Sequence, residues 1–432
     1  MSNYAIKDID QIYGDIPPSW KLVKLEELLN LKRAELQTGP FGTMLHASSY
    51  RNQGTPVLAV QHVGENRINH DPDIPRVDQE TFERLSRYEI NKDDIIFCRK
   101  GAVERIALVT AAEDGWLQGS DCIRLRLIDR SSLDPVFFSY VFCSQAHKRW
   151  ITRHAHGATM PSLNQTILGL SPIPLPSIEE QKEIASILSL LDRKISNLRQ
   201  QNETLEAIAQ TLFKHWFVDF EFPNEDGQPY RSSGGEMVRS ELGEIPAGWR
   251  VGKLQDEFEI LMGQSPAGSS FNEDREGLLF FQGRTDFGFR FPQARLFTTE
   301  PNRIANKHDV LVSVRAPVGD INVASEKCCI GRGLSAVSSK HKSYCLYKLK
   351  SYKKFFDVFE SEGTVFGAMN KQSFNCLASI VPPKKLIESF NSIVSPLDTK
   401  IFVNENQIQS LTKTRDRLLP KLMSGQLRIT EL

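Results

Sequence analysis

The sequence is written twice, and nothing else in it limits the fold so strongly. GDIPPSWKLVKLEELL begins at Gly14 and GEIPAGWRVGKLQDEF at Gly243, so Ile16, Pro17, Trp20 and Leu25 fall on Ile245, Pro246, Trp249 and Leu254. PVLAVQHV from Pro56 then parallels LLFFQGR from Leu278, each an apolar run entering polar residues. DIIFCRKGAVERIALV from Asp94 parallels DVLVSVRAPVGDINVA from Asp309. The alternation Val310, Val312, Val314 predicts a strand, an arginine-bearing turn and a second strand. HGATMPSLNQTILGLSPIPLPS from His156 lies without gaps over EGTVFGAMNKQSFNCLASIVPP from Glu362, placing Asn164 on Asn370 and Pro176 on Pro382. A repeat of this length makes each copy one structural unit. The first copy is longer between Trp20 and Asn164 than the second between Trp249 and Asn370. Matched edges with different interiors suit a duplicated reader whose copies read different things.

After Pro176 the chain has neither proline nor glycine for more than forty residues. Leu188, Leu191, Ile195, Leu198, Asn202, Leu205, Ala209, Leu212 and Trp216 recur at alternating spacings of three and four, the seam of a coiled coil. Val394, Leu397, Ile401, Asn404, Ile408, Leu411, Arg415, Leu418 and Leu422 repeat the pattern in the second copy. An amphipathic helix packed on its own domain is the ordinary reading of one such segment; two matched seams predict two helices paired with each other. Each seam holds a central asparagine, a residue type able to fix register at a cost in stability. About forty residues at roughly 1.5 Å each give a rod of about 60 Å, longer than one turn of B-DNA. An antiparallel pair puts the two units at opposite ends about an approximate twofold; a parallel pair puts them together.

The expected organisation is therefore a mixed α/β unit at 14–175, a long helix at 176–222, a linker at 223–242, a second unit at 243–382 and a C-terminal long helix at 383–432. The polar stretch NEDGQPYRSSGGE (224–236) supplies the linker reading. The class is α+β, with two tandem mixed α/β domains separated by two long helices in an antiparallel coiled coil of pseudo-twofold symmetry.

Composition removes several alternatives. A chain of 432 residues suggests two or three domains. Its 40% hydrophobic and 25% charged residues are those of a soluble globular protein. No run approaches eighteen apolar residues and the start is polar, so neither a membrane span nor a signal peptide is expected. The seven cysteines are scattered, none in a CxxC pair, which reads as reduced thiols in a cytoplasmic protein. Lysine plus arginine equal aspartate plus glutamate at 53 each, so a polyanion site requires local segregation of charge.

The tandem order, together with LPSIEEQKEIASIL, FKHWFVDFEFP and LLPKLMSGQL, resembles the specificity subunits of type I restriction–modification systems. The resemblance implies that each globular unit is a target recognition domain for half of a bipartite double-stranded DNA site. It implies that the helices act as a ruler and dock two modification (methyltransferase) subunits, which two restriction (endonuclease and translocase) subunits join. It further implies a non-catalytic chain without its own cofactor, S-adenosylmethionine, ATP and Mg being carried by the partners.

Motifs that would signal chemistry in this chain are weak. GRGLSA (331–336) fits a glycine-rich nucleotide turn but lies among short strand-like pieces with no acidic residue following, and reads as a turn between strands. DPVF (134–137) resembles an adenine methyltransferase loop but lacks its second proline and any preceding glycine-rich loop. Asp134 and Pro135 instead predict a helix start, with Phe137 and Phe138 in the core. There is no P-loop, and no histidine or cysteine spacing suits zinc. A catalytic methyltransferase or nuclease is thereby disfavoured; a coiled-coil scaffold without DNA readout is the alternative function.

Reading a duplex takes cations for phosphates and Arg, Asn or Gln for base edges. In the first unit the candidates are Gln61, His62, Arg67, Arg99, Lys100, Arg105, Arg153, His154 and His156. In the second they are Gln282, Arg284, Arg290, Arg295, Arg303 and Arg315. Arg99 with Arg315, and Gln61 with Gln282, are read as equivalent positions. For each, a solvated charge or a local salt bridge is the competing reading.

Overall fold

The computed structural model describes residues 13–14, 16–41, 44–157, 161–361 and 368–429, which fall into two compact units. The first comprises residues up to 197 together with 407 onward; the second runs from 198 to 406.

In the first unit a four-stranded antiparallel sheet has the order Ala34–Thr38, Cys122–Leu127, Ile95–Cys98, Ile106–Leu108. A second, five-stranded sheet has the order Tyr50–Arg51, Arg76–Val77, Thr55–Leu58, Trp116–Gln118, Glu89–Ile90, with Thr55–Leu58 parallel to Trp116–Gln118. The strand Ile95–Cys98 is buried on both sides, because alternate residues serve different layers. Ile95 and Phe97 pack with Phe137, Phe138 and Phe142 of the helix Pro135–Cys143, whereas Ile96 and Cys98 pack with Leu58 and Ile90. Asp134 caps that helix by accepting from the Phe137 N–H at 2.8 Å, as its sequence position predicted.

The second unit repeats this plan strand for strand. Glu259–Met262, Leu334–Ser338, Val310–Ser313 and Ile321–Val323 form the four-stranded sheet. Phe271–Asn272, Leu296–Thr298, Leu278–Phe281, Cys328–Ile330 and Ile304–Ala305 form the five-stranded one, with the same parallel pair at its centre. Val310, Val312 and Val314 face the helix Lys342–Ser351 side of the core while Leu311 faces the second sheet. Each unit is tied at its base by a two-stranded ribbon, Lys21–Lys24 with Pro172–Leu175 and Arg250–Lys253 with Ala378–Val381. Asn164 and Asn370 cap matching short helices, accepting from the Ile167 and Ser373 N–H groups. Within the last repeated segment, residues 158–160 and 362–367 lie outside the described residues.

Two forty-residue helices follow the ribbons, Ile178–Phe217 and Lys384–Met423. Every predicted seam residue is buried or half-buried: Leu188, Leu191, Ile195, Leu198, Asn202, Leu205 and Leu212 in the first, Val394, Leu397, Ile401, Ile408, Leu411 and Leu418 in the second. The helices pair antiparallel. In the first unit Leu188 shares a core with Leu422, and Arg415 Nη1 reaches Asp192 Oδ1 at 2.7 Å. In the second unit Trp216 packs on Phe390, and Asn202 meets Asn404. The two asparagines are thus facing partners across the pair. They are not repeat equivalents: Pro176 to Pro382 sets an offset that puts Ile408 at the position of Asn202. Antiparallel packing reverses the order along the partner, so a matched residue type need not mean a matched position.

Each unit also fastens its helix to its globular part through a tyrosine, an aspartate and an arginine. In the first unit Tyr140 Oη donates to Asp192 at 2.6 Å, and Arg415 closes the other side of the same carboxylate. Arg415, which departs from an apolar seam, is therefore part of the packing. In the second unit Tyr347 Oη donates to Asp398 at 2.9 Å and Arg290 Nη1 donates to it at 2.8 Å. Tyr140 and Tyr347, like Asp192 and Asp398, hold matching places in the repeat; the two arginines do not.

The stretch 224–236, expected as a loose linker, is folded. Tyr230 stacks on Phe222 at 4.5 Å, and Phe222 stacks on Trp249 at 5.3 Å. Met237–Ser240 and Gly243–Pro246 then form a hairpin. Its glycines and serines make tight turns around an aromatic anchor that composition alone does not reveal.

Candidate nucleic-acid interface

Several of the candidate side chains gather where both sheets of a unit end. Register fixes that edge: Thr38 lies beside Ile123, Cys98 beside Cys122 and Phe97 beside Ile106, while Gly119 and Asp121 bridge from the parallel pair into the four-stranded sheet. The crossing is too close for side chains. A Cβ on Gly39 would lie 2.0 Å from the Gly119 carbonyl oxygen, and one on Gly263 would lie 2.2 Å from that of Gly331. Only glycine permits this approach, in both units.

In the first unit the loop 99–105 forms the centre of the edge. The Arg99 amide donates to Asp121 O at 2.7 Å, its carbonyl accepts from Leu163 N at 2.8 Å, and its guanidinium lies 5.4 Å from the Phe41 ring centroid. Lys100 is exposed and pairs with Asp121 at 3.3 Å. Gly101 N donates to Pro161 O, and His156 and Ser162 exchange backbone hydrogen bonds. Arg99, Lys100, Arg105 and His156 are thereby brought onto one rim. Arg153, exposed, and His154, stacked on Trp150 at 4.3 Å, end the helix Gln145–His154 that leads into it. Gln61 is exposed in the turn Val60–His62, and Arg67 is exposed on a hairpin closed by Val63 and Ile68.

In the second unit Gln282 directly follows the strand Leu278–Phe281 and is exposed, as are Arg303 and Arg315. Arg284 pairs with Asp320, and Arg295 pairs with Asp286 at 3.0 Å. Arg303 and Arg315 have no ion pair among the described residues.

Two expectations are corrected. His62 is 2% exposed, its Nδ1 accepting from the Ala59 N–H, so it braces the turn from inside. Arg290 is also 2% exposed, bound to Glu206, Asp398 and Tyr347, and belongs to the helix joint. A buried guanidinium needs such partners, and only the fold supplies them.

The expected equivalences shift as well. Phe97 opposes Ile106 as Val312 opposes Ile321, so Lys100, not Arg99, matches Arg315; Arg99 matches Val314. The carbonyls of Arg99 and Val314 accept from Leu163 and Met369, which confirms the register. Gly119 N donates to Leu58 O as Gly331 N donates to Phe281 O, so Ala59 rather than Gln61 stands at the place of Gln282. Aligning by residue type matched similar side chains across a one- or two-residue slip.

Sequence reasoning missed Arg332, exposed at the tip of the turn 331–333 beside Gln282. The available signal was GRG itself: an arginine between two glycines in a turn between strands is pushed outward. In the first unit Ser120 and Asp121 hold the places of Arg332 and Gly333. One edge thus pairs its lysine with an acid, whereas the other presents Arg315 and Arg332 without an ion pair among the described residues.

A duplicated α/β scaffold with two differently furnished loop edges, joined to paired helices, defines a tandem recognition protein. The family profile "Type I restriction modification DNA specificity domain" matches residues 17–207. The MjaX type I restriction enzyme specificity subunit of Methanocaldococcus jannaschii is 30% identical over 428 residues, covering 96% of this chain and 95% of that one. The MjaIX specificity subunit of the same organism is 29% identical over 71% of this chain and 72% of its own. The crystal structure of a type I system S subunit from M. genitalium matches with a TM-score of 0.60 at 18% identity, over 94% of this chain and 96% of that one. The chain belongs to the family of type I restriction enzyme specificity subunits.

Proposed function

We propose that this specificity subunit acts by positioning: each unit reads one short half of a split DNA site, and the paired helices set the gap. The observation that carries this reading is the repeated edge, built on the same strands and the same glycine crossing but furnished with different polar side chains. Gln61, Arg67, Arg99, Lys100, Arg105, Arg153, His154 and His156 serve one half-site. Gln282, Arg284, Arg295, Arg303, Arg315 and Arg332 serve the other. Arginine and lysine bind phosphates, and arginine, glutamine and histidine reach base edges.

The chemistry belongs to partners. Two modification subunits docked on the helices bring S-adenosylmethionine to an adenine in each half-site, and two restriction subunits bring ATP and Mg for translocation and cleavage, all in the cytoplasm. No helix among the described residues is long and apolar enough to cross a membrane.

The test is coexpression with a modification subunit of the same system, followed by single-molecule mapping of methylated adenine across the host genome. A motif of two short halves around a fixed unspecified gap supports the reading. Copurification without such a motif overturns the DNA-reading assignment, and no copurification favours a scaffold.

A further inference from the structure

The geometry points to Gln282 as the side chain through which the second unit recognises an adenine, with Ser265 as its positioning residue. The inference rests on the DNA-reading function proposed above and deepens it by naming a base.

Gln282 is exposed, yet it is held at its root and partway along its side chain. Its carbonyl accepts from Gly333 N at 3.1 Å. A Cβ on Gly331 would lie 2.9 Å from Gln282 Cα, and one on Gly333 would lie 2.7 Å from Gln282 O, so the GRG turn closes directly on this residue. The carboxamide is oriented by Ser265. Ser265 Oγ lies 3.3 Å from the backbone N of Arg332, which is only a donor, so the hydroxyl accepts there. Its single proton is then free for Gln282 Oε1 at 3.2 Å. The structure sets the amide with its oxygen toward Ser265 and Nε2 away from it, an orientation that uses the hydroxyl proton. Nε2 has no hydrogen-bond partner among the described residues, and Oε1 retains a second lone pair.

An exposed carboxamide with free N–H donors and a free acceptor lone pair complements the N7 acceptor and N6 amino donor of adenine in the major groove. Fixing the amide beforehand lowers the entropy lost on contact. The neighbours suit the same surface. Arg332 is exposed at the turn tip, Arg303 is exposed immediately before the Ile304–Ala305 strand that pairs with Cys328 and Cys329, and Asn302 Nδ2 reaches Ser265 O at 3.5 Å. The two arginines have no ion pair among the described residues and are placed to take phosphates. The first unit has Ala59 and Ser120 at the places of Gln282 and Arg332, so it lacks this device.

The experiment is methylome mapping of the coexpressed complex for wild type, Gln282→Ala, Ser265→Ala and the double variant. Wild type is expected to specify an A·T pair at one position of one half-site. Gln282→Ala is expected to relax that position alone, raising methylation at sites with other bases there by roughly tenfold to a hundredfold relative to the original. Ser265→Ala should relax the same position less, and should add nothing in the double variant. A wild-type bipartite motif that Gln282→Ala leaves unchanged, or relaxes at a position other than A·T, overturns the inference while the DNA-reading function stands. Loss of all methylation in Gln282→Ala with an unaltered motif in Ser265→Ala also overturns it. Absence of a bipartite motif in wild type instead defeats the underlying function.

Discussion

Asn202 and Asn404 form a polar contact at 1% and 0% exposure inside a seam otherwise apolar but for Arg415, and their hydrogen bonding is unequal. Asn202 Oδ1 accepts from Asn404 Nδ2 at 2.8 Å, and Asn202 Nδ2 donates to Glu405 Oε1 at 2.7 Å. Asn404 Oδ1 has no hydrogen-bond partner among the described residues. Asn404→Leu removes one neutral hydrogen bond worth about 1 kcal/mol and exchanges the unpartnered Asn404 Oδ1 for an unpartnered Asn202 Oδ1, while the added apolar surface offsets the loss, so it should be near neutral. Asn202→Leu leaves the whole Asn404 amide buried without a partner and strands Glu405, for a loss of about 2 kcal/mol. Burial already holds the Glu405 carboxyl above the ordinary carboxylate range, and the Asn202 contact pulls it back down, so the same variant should raise it further. The double leucine variant removes both amides and leaves only Glu405 without its contact, so it should recover about half of the Asn202→Leu loss, giving a coupling energy of about 1 kcal/mol. Urea unfolding followed by circular dichroism measures all four proteins. Equal single effects that simply add in the double variant would refute the reasoning. The double variant should also recognise half-sites at more than one spacing, because a buried asparagine pair penalises slipped registers that leucines tolerate.

Three further outcomes are expected. His147 is buried between Phe142 and Trp150 with both ring nitrogens unpartnered among the described residues, and burial pushes its imidazole down to about 3 from 6.5. The unfolded chain therefore takes up a proton there first. Stability is fully present above pH 6.5 and falls by about 2 kcal/mol between pH 7 and pH 5, a loss that His147→Phe should abolish in chemical denaturation at the two pH values. Arg415→Met leaves Asp192 with Tyr140 alone and should cost roughly 1–2 kcal/mol, most of it absent when Asp192→Asn is already in place; additive losses in that cycle would dismiss the ion pair. Lys100→Ala and Arg315→Ala should each weaken DNA binding of the assembled methyltransferase across sequences and reduce the slope of log affinity against log salt by about 1. An unchanged slope would remove that side chain from the phosphate contacts.

What the sequence made visible was local or repeated. Val310, Val312 and Val314 betray a strand because side chains alternate every residue, and the seam from Leu188 to Trp216 betrays a helix because its spacing tracks the turn. Asn164 and Asn370 stand out because a cap needs a short polar side chain at a fixed place. The parallel pairing of Thr55–Leu58 with Trp116–Gln118 joins residues about sixty apart through a backbone ladder that is indifferent to side-chain type, so no sequence pattern announces it. The fate of Arg290 was equally hidden, since its carboxylates come from two separate helices. The turn 331–333 was correctly placed between strands, but its bearing on Gln282 emerges only when the strand ends converge.

The two joints between helix and globular part carry a consequence for inheritance. Tyr347, Asp398 and Arg290 all follow the folded connector and travel together when that half of the gene is exchanged, although Glu206, the other anchor of Arg290, stays behind. Arg415, which completes the joint of Tyr140 and Asp192, lies in the last helix. A crossover that replaces everything after the connector therefore strips the first half of its own fastening, whereas one confined to 243–382 leaves it whole. That second exchange in turn parts Tyr347 and Arg290 from Asp398, so viable hybrids should come from donors that carry the same tyrosine, aspartate and arginine at these places.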